Sequence, residues 1–327
     1  MIAAPGAGPI PVIDVAPYLA GAPDATARLA EAVERTCNQT GFLVISNHGV
    51  PQALIDRAFI AAASFFSLSE PEKLALKIED RNIGYLPYGG QTMRTSTIET
   101  ATRPNYSESF YITDPGPSAP DGGKFAGRDV NKWPPGMTGF KTTHIEYFKT
   151  MQGLARQFLP AFAQALGLAD DYFDDDFEGA NCTVRLIQYA PQPEDDANLF
   201  GFAPHTDGSF ITFLPRSELP GLEVQTKSGD WVRPPDIPGA FVINTGEMLA
   251  RYSNDRFVPT PHRVINRSGK VRHAMPFFYG PNRNKIIHCA PTCVDEQHPP
   301  KYEPMSSAQL NAVKDKTNFP HRRPPSR

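Results

Sequence analysis

His205-Thr206-Asp207-Gly208-Ser209-Phe210-Ile211-Thr212-Phe213-Leu214 joins the two readings that decide the fold. Its second half, Phe210–Leu214, is an apolar run of strand length, rich in aromatic and β-branched residues. Its first half sets an imidazole and a carboxylate two residues apart, and extended backbone projects both to one face. Outward from it lie more short runs bounded by Pro and Gly: Thr183–Tyr189, Leu222–Gln225, Ala240–Asn244, His262–Asn266 and Arg272–Tyr279. Asn266-Arg267-Ser268-Gly269-Lys270 reads as a hairpin turn between the last two. Short strands at this spacing predict a sandwich or barrel.

Before Asn181 the period changes. Ile10–Asp14 is a short strand, and Asp24 is placed to cap a helix whose apolar face is Leu29, Ala32, Val33 and Cys37, ending near Gly41. Phe42–Ile45 reads as a buried strand closed by Asn47-His48-Gly49, and Pro51 opens a second amphipathic helix reaching Phe66. Periodicity is lost from Gly84 to Pro135, a length usual for a lid or binding loop. It returns from Phe140 to Leu166, where Pro160 predicts a kink or a split. The expected organisation is an N-terminal non-catalytic α/β region over 1–115, a linking loop and long helix over 116–180, a catalytic core over 181–285 and a C-terminal arm over 286–327. The basic, Pro-rich end, His321–Arg327, is expected to be loose.

Bulk properties exclude several classes. A hydrophobic share of 40% in 327 residues is enough for a buried core. A net charge of −3 gives no electrostatic case for nucleic acid or an anionic membrane. The 34 prolines are about twice the usual share of roughly 5%, in keeping with many turns and short strands. No run approaches the roughly 20 apolar residues of a membrane span. Four scattered cysteines argue against a disulfide framework and for the cytoplasm. Cys289 and Cys293 with His288 lack the second ligand pair of a zinc cluster.

His262, in Pro261-His262-Arg263, follows Asp207 by 55 residues and would begin another strand of the same barrel. An isolated His-x-Asp arises often by chance, but a histidine on a later strand closes a triangle with His205 and Asp207. Two imidazoles and one carboxylate on one face of an ion form the facial triad of non-haem Fe(II) oxygenases, with positions left open for O₂. Ten residues on, Arg272 heads an apolar strand with no acidic residue near it in sequence. A buried guanidinium needs an anion. Its partner is either a distant Asp or Glu or a dicarboxylate co-substrate, gripped through the arginine's bidentate fork.

From about Ile10 to Pro281 the chain resembles the plant and microbial 2-oxoglutarate/Fe(II) dioxygenases of the isopenicillin N synthase-like superfamily. The resemblance rests on Ile10–Asp14, the Gly41–Val50 run and Asn131-Lys132-Trp133-Pro134 in the first half. In the second half it rests on Pro204–Gly208, Pro220-Gly221-Leu222, Pro238-Gly239-Ala240, Asn244-Thr245-Gly246 and His262-Arg263-Val264. It implies a mainly β fold with flanking helices: a double-stranded β-helix, or jelly roll, preceded by a helical region. It implies Fe(II) held by His205, Asp207 and His262, and 2-oxoglutarate held by Arg272, with Tyr189 on the same carboxylate or in the core. It implies O₂ and a small organic molecule as the other reactants. Phe278 matches a position that lines the pocket or packs in the core; Phe210 and Phe213 also favour a partly apolar substrate, and Tyr88, in the Tyr85–Tyr111 loop with Arg94 and Arg103, is a candidate at the pocket mouth. Ala274 departs from the family's Arg-x-Ser, Ile187 from a common Asn and Glu247 from the usual Asp. The lost serine keeps open an oxidase that needs no 2-oxoglutarate; a non-catalytic metal-binding relative is the other alternative.

Overall fold

Alternation along one long strand, Asn181–Tyr189, lays out both sides of the protein. Cys182, Val184 and Leu186 point into the apolar core, while Thr183, Arg185, Ile187 and Tyr189 point the other way and line a cavity. In the computed structural model, residues 9–79, 82–96, 98, 101–114, 130–193, 196 and 198–319 are described. The His321–Arg327 tail lies outside them, as does part of the expected linking loop.

The first half contains β1 (Val12–Asp14), α1 (Ala16–Leu19), α2 (Ala25–Cys37), β2 (Phe42–Ser46), α3 (Gln52–Phe66), α4 (Glu70–Leu74), β3 (Gly84–Leu86), β4 (Ser107–Thr113), α5 (Thr138–Gln157) and α6 (Leu159–Ala165). Then come β5 (Asn181–Tyr189), β6 (Phe202–His205), β7 (Ile211–Pro215), β8 (Leu222–Gln225), β9 (Trp231–Val232) and β10 (Phe241–Thr245). The chain ends with α7 (Glu247–Tyr252), β11 (His262–Val264), β12 (Arg272–Ala274), β13 (Phe277–Gly280), β14 (Ile286–Ile287), β15 (Met305–Ser306) and α8 (Ser307–Asn318). The larger sheet runs β1-β2-β10-β7-β13-β5-β4-β3, with β12 also on β5, and the smaller runs β6-β11-β8-β9. Together they form the expected jelly roll, preceded by helices.

Those helices cover the outer face of the larger sheet through interlocked aromatic rings. Phe65 of α3 meets Phe110 of β4 edge-on with centroids 4.6 Å apart, and Phe148 of α5 meets Phe277 of β13 at 5.5 Å. Behind the cavity, Lys73 pairs with buried Glu108 at 2.8 Å, and Tyr85 and Gln188 donate to the same carboxylate. Gln188 in turn meets His273, so β12 is fastened on the face opposite Arg272.

Several expectations are refined. Pro160 does split the helix, at Phe158, and becomes the second residue of α6, where a missing N–H costs nothing. Asp24 stands at the start of α2 but in left-handed backbone (φ 57°), and its side chain makes no cap bond. The turn at Asn266–Lys270 is not a hairpin: β11 pairs with β6 and β8 while β12 pairs with β5, so it carries the chain between sheets. Arg272–Tyr279 is interrupted at Met275-Pro276, because proline cannot donate to the ladder. β3 and β4 lie inside the stretch without periodicity, and α8 stands where an arm was expected.

The first half supplies β1 to β4 to the larger sheet, on both of its ends. Expression of residues 181–327 alone is therefore expected to give aggregated protein with two open sheet edges, tested by solubility and NMR dispersion. His144 of α5 is fully buried against Phe140 at 4.3 Å and donates Nδ1–H to the Phe140 carbonyl. Burial lowers its pKa to about 4. A depressed imidazole favours unfolding once protons are available, so this stability is complete above the unfolded value of about 6.5 and is lost as pH falls towards about 4. The full effect is about 3 kcal/mol. Urea midpoints measured across that window should decline less steeply with acid in His144→Leu than in the unsubstituted protein.

Candidate metal centre and cavity

β6 ends at His205 and β11 begins at His262, and these two residues are direct antiparallel partners. Partners of this kind carry their side chains to the same face about 5 Å apart. The imidazole centroids accordingly lie 4.2 Å apart. Asp207, two residues on, brings Oδ1 to 3.7 Å from Nε2 of each histidine. Two donors about 2.1 Å from a shared ion can be no more than about 4.2 Å apart, so each of these pairs fits one ion. All three ligand atoms lie within 4.8 Å of one another.

Supporting groups aim these atoms. His205 donates Nδ1–H to the Ala203 carbonyl at 2.9 Å and His262 to the Thr260 carbonyl at 3.2 Å, which leaves both Nε2 lone pairs facing inward. Asp207 accepts from Thr212 (2.7 Å) and Asn244 (2.8 Å) through Oδ2, leaving Oδ1 for the ion. Burial, and then the neighbouring His262, hold the His205 imidazole well below its usual pKa, as a neutral ligand. Burial opposes ionisation of Asp207, but His262, His205, Asn244 and Thr212 together keep its carboxyl below the ordinary range. Gly246 lets α7 start against this segment, because a Cβ there would stand 2.1 Å from the Ser209 carbonyl oxygen. Glu247, one methylene longer than the family's Asp, accepts from both Thr206 and Lys314 and so reaches α8.

The cavity beside the triad measures about 600 Å³. Arg272 borders it, with Nε donating to the Leu219 carbonyl and Nη2 to Ser217 Oγ, each at 3.0 Å, and with its guanidinium 5.2 Å from the Tyr189 ring centre. Gly221 leaves room for it: a Cβ there would lie 3.1 Å from Arg272 Cδ and Nε. Nη1 is buried with no partner among the described residues. Nor does Arg272 form an ion pair with any described Asp or Glu. Its orphan donor fits a carboxylate brought by a ligand. Ala274 and Ile187, both departures from the family pattern, are direct cross-strand partners lining the same cavity.

The other expected site residues divide between cavity, core and surface. Tyr189 and Phe278 line the cavity. Phe210 does not: it is fully buried on the far side among Phe162, Phe173, Phe177 and Tyr252. Phe213 likewise packs on Phe158 in the core. Tyr88 is 42% exposed, beside Tyr106, and does not line the cavity. Arg103 pairs with Asp196 at the surface. Sequence reading missed Arg185, which parity with Tyr189 could have found, and Tyr111, whose place follows only from the pairing of β4 with β5. It also missed α8, which contributes Asn311 and Lys314 and is announced by the Ser306–Gln309 capping box.

Asn244→Ala removes one of the two donors that orient Asp207, and is expected to weaken divalent-metal binding about 10- to 100-fold. Anaerobic Fe(II) titration checks this, with Asp207→Ala as the variant that loses the ion altogether.

Comparison with known proteins agrees with this geometry. Residues 10–136 match the family described as the N-terminal region of non-haem dioxygenase in morphine synthesis, and residues 180–281 match the 2OG-Fe(II) oxygenase superfamily. The 2-oxoglutarate-Fe(II) type oxidoreductase hxnY of Emericella nidulans is 33% identical over 306 residues, covering 90% of this chain and 86% of that protein. A putative 2OG-Fe(II) oxygenase family protein from Caulobacter crescentus superimposes with a TM-score of 0.78 at 29% identity, covering 93% and 97% of the two chains. A full-length Neurospora crassa protein, solved in complex with alpha-KG, shares the fold with a TM-score of 0.80 at 24% identity over 94% and 95%. The chain belongs to the 2-oxoglutarate- and Fe(II)-dependent dioxygenases of the isopenicillin N synthase-like superfamily.

Proposed function

We propose that His205, Asp207 and His262 hold the Fe(II) of this oxygenase, and that Arg272, backed by the Tyr189 ring, holds the distal carboxylate of 2-oxoglutarate. The enzyme uses 2-oxoglutarate and O₂ to oxidise a small organic molecule. The buried, unpartnered Nη1 of Arg272 carries the assignment, because a guanidinium left with an orphan donor in a dry cavity is costly until an anion arrives. It also favours 2-oxoglutarate use over an oxidase that lacks it.

Bound together, iron and co-substrate supply the oxidising power: 2-oxoglutarate leaves as succinate and CO₂ while one substrate C–H bond is oxidised. The chain's share is placement. His205, Asp207 and His262 would hold the ion at the wall of the cavity. Arg272 would hold the far end of the co-substrate, leaving its other end for the triad across the same cavity. Met93, Phe202, Leu214 and Phe278 exclude water from the reacting carbon and favour a partly apolar substrate.

The cytoplasm is the proposed compartment, supported by Cys37, Cys182, Cys289 and Cys293 all being free thiols. Among the described residues no helix is long and apolar enough to cross a membrane.

Arg272→Ala would leave the co-substrate carboxylate buried and unpaired, a loss of roughly 3–5 kcal/mol or about two to four decades of affinity. Ala274→Ser is expected to tighten 2-oxoglutarate about two- to tenfold by adding a hydroxyl on the face shared with Arg272. Calorimetric titration of 2-oxoglutarate into the anaerobic Fe(II) protein, with slow succinate release in air as a second readout, measures both. Unchanged affinity in Arg272→Ala would remove the co-substrate assignment.

A further inference from the structure

A second arginine borders the same cavity. Arg185, on β5, is 5% exposed and contacts two rings, 4.9 Å from the Tyr111 centroid and 4.8 Å from that of Phe202. Its Nε and Nη2 donate to Ser109 Oγ at 3.0 and 2.9 Å, and Nη2 also to Gln91 Oε1 at 2.9 Å. All of these acceptors are neutral. Nη1 bonds to no described residue, and Arg185 forms no ion pair among them. Beside it, the Tyr111 hydroxyl is buried and has no hydrogen-bond partner, although Tyr111 also lines the cavity.

Charge balance makes this arginine conspicuous. The divalent ion, Asp207, Arg272 and a doubly charged 2-oxoglutarate together sum to zero. Lys314 is neutralised by Glu247. Asp114 and Asp315 also border the cavity, and each already interacts with another group. Arg185 remains as a buried cation with no ion pair among the described residues, a costly arrangement until an anion arrives. Contacts with the Tyr111 and Phe202 rings, together with the Ser109 and Gln91 hydrogen bonds, restrict the guanidinium before any ligand arrives.

We infer that Arg185, with the Tyr111 hydroxyl, anchors a carboxylate of the molecule being oxidised, so that the substrate is an organic acid. The inference rests on Arg272 being the arginine of 2-oxoglutarate. Phe202 sets the direction: its ring touches Arg185 on one side and lies 4.3 Å from the His205 ring on the other. An acid gripped at Arg185 therefore lays its carbon skeleton along Phe202 towards the triad, between Met93, Ile187 and Phe278. Arg185 and Tyr111 thus select the substrate, and the iron acts on a carbon beyond the anchored carboxylate.

The test uses full-length protein loaded with Zn(II), a redox-inactive stand-in, and saturated with 2-oxoglutarate. Benzoate, phenylacetate and phenylpropionate are each compared with the corresponding primary amide by ligand-observed NMR. The acids are expected to bind about ten- to a hundredfold more tightly than the amides. Arg185→Gln should erase that preference while leaving the separately titrated 2-oxoglutarate affinity unchanged. Tyr111→Phe, which keeps the ring under the guanidinium and hence the fold, should weaken the acids a few-fold. Acids and amides that bind alike, or no acid bound at millimolar concentration, would overturn the inference. So would an Arg185→Gln variant that loses 2-oxoglutarate as Arg272→Ala is expected to. A wild-type protein that keeps the acid preference but fails to bind 2-oxoglutarate would overturn the Arg272 assignment alone.

Discussion

The antiparallel pairing of β6 with β11 is the constraint on which the rest of the site depends. It opposes His205 to His262 across a single rung, and the side-chain period of two then decides everything within reach. A slip of one residue in that register would send one imidazole to the outer face and dissolve the triangle. The small sheet is only four strands, and its register is secured from outside itself. The Asp207–Phe210 segment is strapped to the start of α7, with Gly246 and Glu247 donating backbone N–H to Phe210 and Asp207 carbonyls. Asn244 and Thr212, from the larger sheet, take one oxygen of Asp207. The triad is thus built on one sheet and oriented by the other.

Much of this was legible in sequence, and the reason is physical. The facial triad is carried by short-range geometry: His205 and Asp207 share a face because extended backbone alternates, whatever the rest of the fold does. The same rule, applied further, puts Phe278 in the cavity and its neighbour Phe277 in the core with its cross-strand partner Phe213, whereas Phe210 lies before β7 and escapes the alternation. What escaped was non-local. Nothing near Asn266–Lys270 says that its two flanking strands join different sheets, because the partners of both lie far away in sequence. β3 and β4 were hidden in a stretch of Gly, Pro and Tyr whose strand character comes from pairing with β5. α8 has a clear cap but weak amphipathicity, and its role is defined by what it covers.

Arg272 and Arg185 show how one cavity keeps two cations distinct. Both are buried on the larger sheet and both contact an aromatic face, yet their tethers differ. Arg272 is tied to the Ser217–Leu219 loop, and β12 beneath it is pinned through His273, Gln188 and Glu108 to the Lys73 ion pair. This chain of hydrogen bonds holds β12 to one geometry. Arg185 is tied instead to Gln91 and Ser109, close to the segment that covers the cavity.

That cover has a joint. Asn318, the last residue of α8, accepts from the backbone N–H groups of Thr92, Arg94 and Thr95 and donates to the Thr95 hydroxyl. One buried asparagine therefore welds the C-terminal helix to the 92–95 segment, more than 200 residues away along the chain. The two pieces therefore behave as one part, and neither half of the roof is expected to be exchangeable alone. A chimaera carrying a relative's 91–95 segment on this chain's α8 would break the weld, and recombination that respects the architecture must move both pieces together.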